Sequence, residues 1–316
     1  MKNRIVSVLL ALIFICLSLC SCSNSVKKDD GKLTVICTIF APYDFARHVV
    51  GDKADVVMLL PPGVESHSYE PTPADIIKIE NANVLFYVSE NTETWITGIT
   101  DAVKNPDVSI VDIASGLGVK IHDDEHGEAK SEHGEDELGA GEVDEHIWTS
   151  LSISKQMVGF IADKMSEIDS QNKSYYQSNA EEYIAQISQL DSDFKELFKT
   201  SKRDEIVSGS RFAMRNFVNE YGLKFIAAFD SCVDNTEPSA AVMAKIIDTI
   251  NNDKIPVIFY EELTEPKIAR AVSHETGAKM LLLHSCHNVS SDELKAGATY
   301  VSLMRQNYYN LKEALN

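Results

Sequence analysis

Positive charge is scarce in this 316-residue chain: 29 lysines and arginines face 48 aspartates and glutamates, a formal net charge of −19. Such a chain offers no basic face to a phosphate backbone, which excludes nucleic acid as a partner. Cysteine is also sparse. Three of the six, Cys16, Cys20 and Cys22, stand in the first 22 residues, leaving Cys37, Cys232 and Cys286 for the folded part. An odd number rules out a complete disulfide framework. Cys37 lies in the apolar run LTVICTIF and reads as a small buried hydrophobe. Cys232 and Cys286 could pair in an oxidising compartment. Catalytic signatures are missing too. The chain has no H-E-x-x-H, no G-x-S-x-G and no P-loop, so a secreted zinc hydrolase is a weak rival and no enzymatic activity is expected. An adhesin role is a second rival, which the sequence leaves open.

One long hydrophobic run exists, Ile5–Leu19, preceded by Lys2 and Arg4. It is short of the roughly 20 apolar residues a membrane-spanning helix needs and reads instead as an export signal over residues 1–22. Leu19-Cys20-Ser21-Cys22 resembles a bacterial lipobox, with small Ser21 before Cys22 and bulky Leu19 before Cys20. Cys22 is therefore the expected lipidation site. Residues 23–32, SNSVKKDDGK, make a polar tether. The protein is expected outside the cytoplasm, anchored to the cell membrane by an N-terminal lipid.

What the chain has in abundance is concentrated in residues 122–146, HDDEHGEAKSEHGEDELGAGEVDEH. This tract holds four histidines, eleven carboxylates and one lysine. Only Leu138 and Val143 could anchor a core, so most of it is expected to be a solvated, mobile loop. Neutral imidazoles among carboxylates bind borderline divalent cations. His122, His126 and His133 read as an auxiliary set that gathers ions. His146 differs, because Ile147, Trp148 and Leu151 follow it and restore order, so it is a candidate for a fixed ligand.

Around this loop the pattern alternates strand and helix. Strands are expected at Leu33–Cys37, Val56–Leu60, Val84–Val88 and Ser109–Ile113, with helices such as Tyr43–Val50 and Ala74–Asn81 between them. The pattern returns with strands at Glu205–Ser208, Lys224–Phe229, Ile255–Tyr260 and Met280–His284, and with helices at Ser239–Asn251, Glu265–Thr276 and Ser302–Leu315. This indicates two parallel-sheet α/β lobes, residues 33–150 and 202–316. Between them, residues 151–201 contain no proline and one glycine, Gly159. Tyr183, Ile187, Leu190, Phe194 and Leu197 recur there at helical spacing. One uninterrupted rigid helix joining the lobes is expected, and a coiled-coil dimer is disfavoured for want of a longer heptad pattern. Periodicity shows no internal repeat, and a monomer is expected.

Two further groups carry chemistry. His67 lies in PPGVESHSYEPTPADI, just after a strand, where parallel α/β folds bind ligands. His284, Cys286 and His287 cluster in LLLHSCHNVS at the end of the last strand. PPGxxxHxYEPTPxDI, the histidine-acidic loop, DEHIWTSL, YGLK, TEPSA and GATYVSLMRQN together resemble the zinc- and manganese-binding solute-binding lipoproteins of bacterial ABC metal importers. The resemblance spans about Leu33 to Asn316. It implies a metal site in the cleft between two lobes, with His67 and His146 as its first two ligands. It further implies a membrane permease as partner, and release of the ion on docking after modest closure of the lobes. A third family histidine would stand ten residues before Tyr221, where this chain has Arg211. Arginine has no acceptor atom and cannot ligate a cation. Compensation is expected from His284 as first choice and His287 as second, with Cys286 bridged to Cys232. A histidine-dominated site favours Zn2+, and Mn2+ is the closer competitor should Glu261 or Glu262 join the ligands. Affinity is expected to fall as pH drops through the ordinary histidine range near 6–7.

Overall fold

Short runs of Val, Ile, Leu and Phe between polar turns fold into parallel sheets in the computed structural model, which describes residues 31–122, 142–229 and 238–316. Strands β1 (Leu33–Cys37), β2 (Ala54–Met58), β3 (Val84–Tyr87) and β4 (Ser109–Asp112) form a parallel sheet in the order β2-β1-β3-β4. A two-stranded ladder pairs β5 (Lys120–Ile121) with β6 (Glu142–Val143). Strands β7 (Glu205–Ser208), β8 (Lys224–Ala227), β9 (Val257–Tyr260) and β10 (Lys279–Leu282) form the second four-stranded sheet, ordered β10-β9-β7-β8. Counted from its own first strand, the second sheet has the same order as the first. The duplication is structural and invisible to sequence periodicity.

Helices cover both faces. In the first half they are α1 (Phe40–Val50), α2 (Pro73–Glu80), α3 (Ile96–Ala102) and α4 (Ile113–Leu117). Mid-chain come α5 (Leu151–Ile168) and α6 (Lys173–Thr200); then follow α7 (Arg215–Tyr221), α8 (Ala240–Asp253), α9 (Lys267–Thr276), α10 (Ser291–Lys295) and α11 (Tyr300–Leu315). Strand alternation sorts side chains between the faces. Val35, Cys37, Val84 and Phe86 enter one large core, while Ile36 and Leu85 meet Ile79, Ile96 and Ile99 on the outer face. In the second sheet, Ile206, Val257 and Phe259 enter the same large core, and Val207 and Ile258 meet Ile246, Ile250 and Val272 outside. Both sheets therefore share one continuous core, completed by Met157, Ile161, Ile187, Leu190 and Phe194 of the central helices.

The expected single helix over residues 152–199 is corrected to two. α5 ends at Ile168, a short 3-10 turn spans Ser170–Asn172, and the 28-residue α6 begins at Lys173. Neither proline nor glycine makes the break. Asp169, Ser170 and Asn172 compete for backbone groups through their own side chains, which favours turns over helix interior. The Asp169 carboxylate accepts from Asn172 Nδ2 at 2.6 Å and from the Tyr176 hydroxyl at 2.7 Å. The two helices then pack against each other, with Gln177 on α6 donating to Asp163 on α5 at 2.9 Å.

A buried carboxylate ties this hub to both ends of the chain. Asp44 on α1 accepts from the Tyr183 hydroxyl of α6, from the Tyr300 amide of α11 at 2.9 Å and from Arg47 Nε at 2.8 Å. At the end of β7, Gly209 permits a close approach: a Cβ there would stand 2.7 Å from the Ala269 backbone of α9. That contact fixes the start of the loop carrying Arg211.

Candidate metal centre

The loops after β2, β9, β10 and β7 open at the carboxyl ends of the two sheets, where α/β folds place ligand sites. The loop after β2 is shaped by its prolines and by Gly63, whose φ of +85° favours a residue without a Cβ. Its far end is closed by a capping box between Thr72 and Asp75, with the Tyr69 hydroxyl donating to Asp75 at 2.9 Å. From the second sheet, Asn288 grips this loop with two bonds from Nδ2, to the carbonyls of Pro61 and Val64, each 2.8 Å. Gly63 donates its amide to Val289 at 2.8 Å, and Trp95 Nε1 donates to Ser66 at 3.2 Å. The His67 loop and the His287 loop are thus one hydrogen-bonded assembly.

His67, His146 and His287 meet there. Each offers a ring nitrogen, and those nitrogens lie within 4.8 Å of one another. Their ring centroids are 5.7, 5.0 and 5.4 Å apart, all edge to face. His146, at the N-cap of the 3-10 turn Ile147–Thr149, is oriented by Asp144. One carboxylate oxygen lies 2.7 Å from His146 Nδ1 and accepts the His146 amide at 2.9 Å. A carboxylate on Nδ1 sets the tautomer that presents Nε2 to an ion. Asp144 is held from the other half of the molecule by Asn216 on α7, which donates Nδ2 to its carbonyl at 2.9 Å and accepts its amide at 3.0 Å.

His287 is buried. Its Nδ1 lies 3.1 Å from the Ser66 hydroxyl, and its Nε2 has no hydrogen-bond partner. A buried polar atom left without a partner costs free energy unless something outside the chain satisfies it. His284 Nε2 is left in the same state, so it is the closeness of His67 and His146 that makes His287 a candidate cation ligand. Electrostatics keeps the set ready: burial, then the neighbouring His146, hold the His67 imidazole down to about 4. Burial, then His67, hold His287 well below the ordinary histidine value. His67 and His287 are therefore held neutral below the ordinary histidine range.

His284, the first choice for the compensating ligand, lies apart from this trio. Its Nδ1 accepts the Cys286 amide at 2.9 Å, and Asn307 of α11 brackets its backbone, accepting the amide and donating to the carbonyl at 2.8 Å each. Between the two histidines Cys286 adopts φ +60°, which turns the chain so that His287 alone faces the cleft. Cys286 itself is a free, buried thiol, so the expected bridge to Cys232 is corrected at this end; Cys232 lies outside the described residues. Burial pushes the Cys286 thiol far up. His126, His133 and Cys22 also lie outside the described residues. His122 stands at the root of the histidine loop, its amide donating to Val143 at 2.8 Å, and is not part of the trio.

Arg211 lines the same cleft as His67, His287, Glu65 and Glu261. Of the two glutamates after β9, Glu262 is committed to Ser285, accepting its amide at 2.8 Å and its hydroxyl at 2.6 Å. Glu261 stays in the cleft, and burial, then Glu262, push its carboxyl up to about 8. Asp144, Ser66, Asn216 and Asn288 escaped the sequence reading. Asp144 was hidden among eleven carboxylates, and its spacing of two from His146 was the one available signal.

The profile of the ZnuA family, described as the periplasmic component A of a zinc-uptake complex, matches residues 35–314. The chain belongs to the ZnuA family. Among its relatives, the high-affinity zinc uptake system protein ZnuA of Bacillus subtilis (strain 168) is 32% identical over 300 residues, covering 93% of each chain. The family fold is matched by the metal-dependent lipoprotein YcdH of Bacillus subtilis, with a TM-score of 0.74 and 31% identity over 90% of this chain and 100% of that one. Zn(II)-bound AdcA from Streptococcus pneumoniae gives a TM-score of 0.73 and 29% identity, over 90% of this chain and 58% of that one. The ZnuA-type architecture of two similar parallel sheets about a long central helix is thus common to all three.

Proposed function

We propose that this protein captures Zn2+ outside the membrane and supplies it to an ABC importer, with His67, His146 and His287 as the protein ligands. The observation that carries this reading is the convergence of one ring nitrogen from each of these three histidines, all within 4.8 Å of one another. Neutral imidazoles suit zinc better than manganese, which prefers oxygen. Three protein ligands leave a fourth position, to be filled by water or by the Glu261 carboxylate. The membrane permease of the importer is the partner, and a lipid on Cys22 keeps the receptor at the membrane surface. The acidic histidine tract after His122 serves as an auxiliary collector. Family membership describes a transport component and supports a binding role rather than catalysis.

The test is metal analysis of the purified full chain with competitive Zn2+/Mn2+ titration. One tight zinc equivalent is expected, lost in His67→Ala, His146→Ala and His287→Ala. Preference for manganese, or tight zinc surviving in all three variants, would refute the assignment. Membrane fractionation of Cys22→Ala tests the anchor: the protein should leave the membrane fraction or accumulate unprocessed.

A further inference from the structure

We propose that Arg211 and Glu65 form a clasp across the cleft that positions the His67 loop for the ion. The proposal rests on the zinc-capture reading and adds a positioning pair to it. Arg211 follows β7, and Glu65 lies two residues before His67 in the loop after β2, so the pair joins the carboxyl ends of the two sheets. Arg211 Nη2 stands 3.6 Å from Glu65 Oε1. The same oxygen accepts the His67 amide at 3.2 Å, and Oε2 accepts the Ser68 amide at 2.9 Å. One carboxylate therefore holds the backbone on which the His67 ring is mounted, and the guanidinium holds the carboxylate.

Exposure supports this arrangement: the Arg211 and Glu65 side chains are 21% and 31% exposed, so solvent screens the pair only in part. Chemistry supports it as well. A guanidinium always carries its charge and cannot ligate a cation, so alone in this cleft it would oppose a divalent ion. Glu65 offsets that charge, and Glu261 lies beside it. At the position where the family resemblance calls for a metal ligand, this chain has a connection between the sheets that does not pass through the metal.

The experiment measures zinc release from the loaded full chain into excess chelator, for wild type, Arg211→Gln, Glu65→Gln, the double variant and Arg211→Lys. Each glutamine variant should release zinc ~5-fold faster, the scale of a partly exposed ion pair. The double variant should be no faster than the worse single, because coupled residues are non-additive. Arg211→Lys should recover part of the loss. Raised salt should speed release from wild type and leave the glutamine variants nearly unchanged. The melting temperature of the metal-free protein should stay close to wild type, which separates positioning from a general fold defect. Additive effects, or slower release from Arg211→Gln, would overturn the clasp, the latter showing that the guanidinium only repels the ion. A wild type that holds no zinc sinks the functional reading and the clasp with it. A zinc-loaded wild type with additive single variants sinks the clasp alone.

Discussion

The two sheets have the same strand order and different chemistry at their carboxyl ends. The first half supplies two imidazoles, His67 from the loop after β2 and His146 ahead of α5. The second half supplies one, His287 after β10, together with Arg211 and Glu261 in the cleft. Equal scaffolds do not impose equal sites, because the strands set where loops begin and the loops choose the donors. The halves also exchange supports. Asn216 of the second half fixes Asp144 behind His146, and Asn288 fixes the loop that carries His67. Imidazoles of the first half are therefore held in place by side-chain amides of the second.

The comparison breaks most sharply at the two histidines after β10. His287→Ala should abolish tight zinc binding, a loss beyond the ~10–100-fold cost of changing an outer partner. His284→Ala should leave affinity nearly intact, since its Nδ1 serves the Cys286 amide. Calorimetric titration of both variants decides which histidine the second half contributes, and equal losses would contradict the geometry.

The outer partners come next. Asp144→Asn should weaken zinc binding ~10-fold or more by loosening His146, within the range for such partners. A deletion aimed at the auxiliary loop must therefore stop short of Asp144. Asn288→Ala should lower unfolding free energy by about 2 kcal/mol, because it removes both hydrogen bonds to the Pro61 and Val64 carbonyls, at about 1 kcal/mol each; denaturant titration of the metal-free chain would read it.

A further effect is expected from pH. His67 is held to about 4 in the folded chain, against an ordinary value near 6.5. Between those limits the unfolded chain takes up a proton that the folded one does not. The metal-free protein should thus lose stability as pH falls from about 6.5 to about 4, with no further loss from this group below that. Zinc occupancy should likewise persist through pH 6 and fail nearer the lower limit. A fall centred at 6–7 would mean that the imidazoles are less buried than described.

Much of this was legible in the sequence, for identifiable reasons. Eight strands announced themselves through short apolar runs between turns, and each lies within two residues of its expected limits. His67 and His146 were legible because they stand in ordered motifs. The choice between His284 and His287 was not, since it depends on the backbone turn at Cys286, a residue that carries no turn signature. The break at Asp169 was similarly veiled. No proline or glycine marks it, and the turn preference of Asp169, Ser170 and Asn172 is realised through the bonds from Asn172 and Tyr176 to one carboxylate. Periodicity missed the duplicated topology because strand order is a property of pairing, not of residue spacing.

The core that runs unbroken from one sheet through α5 and α6 to the other also sets the cost of motion. Swinging the halves apart would expose Ile161, Ile187, Leu190 and Phe194, four fully buried side chains, at roughly 1.5–3 kcal/mol each. That places wide opening outside ordinary thermal excursions. Ion exchange is then governed by the few residues of the β2–α2 and β7–α7 loops, whose rearrangement leaves the core closed. A partner that empties the site must act as a lever on those loops, and its footprint should be the rim of the cleft, not the backs of the sheets.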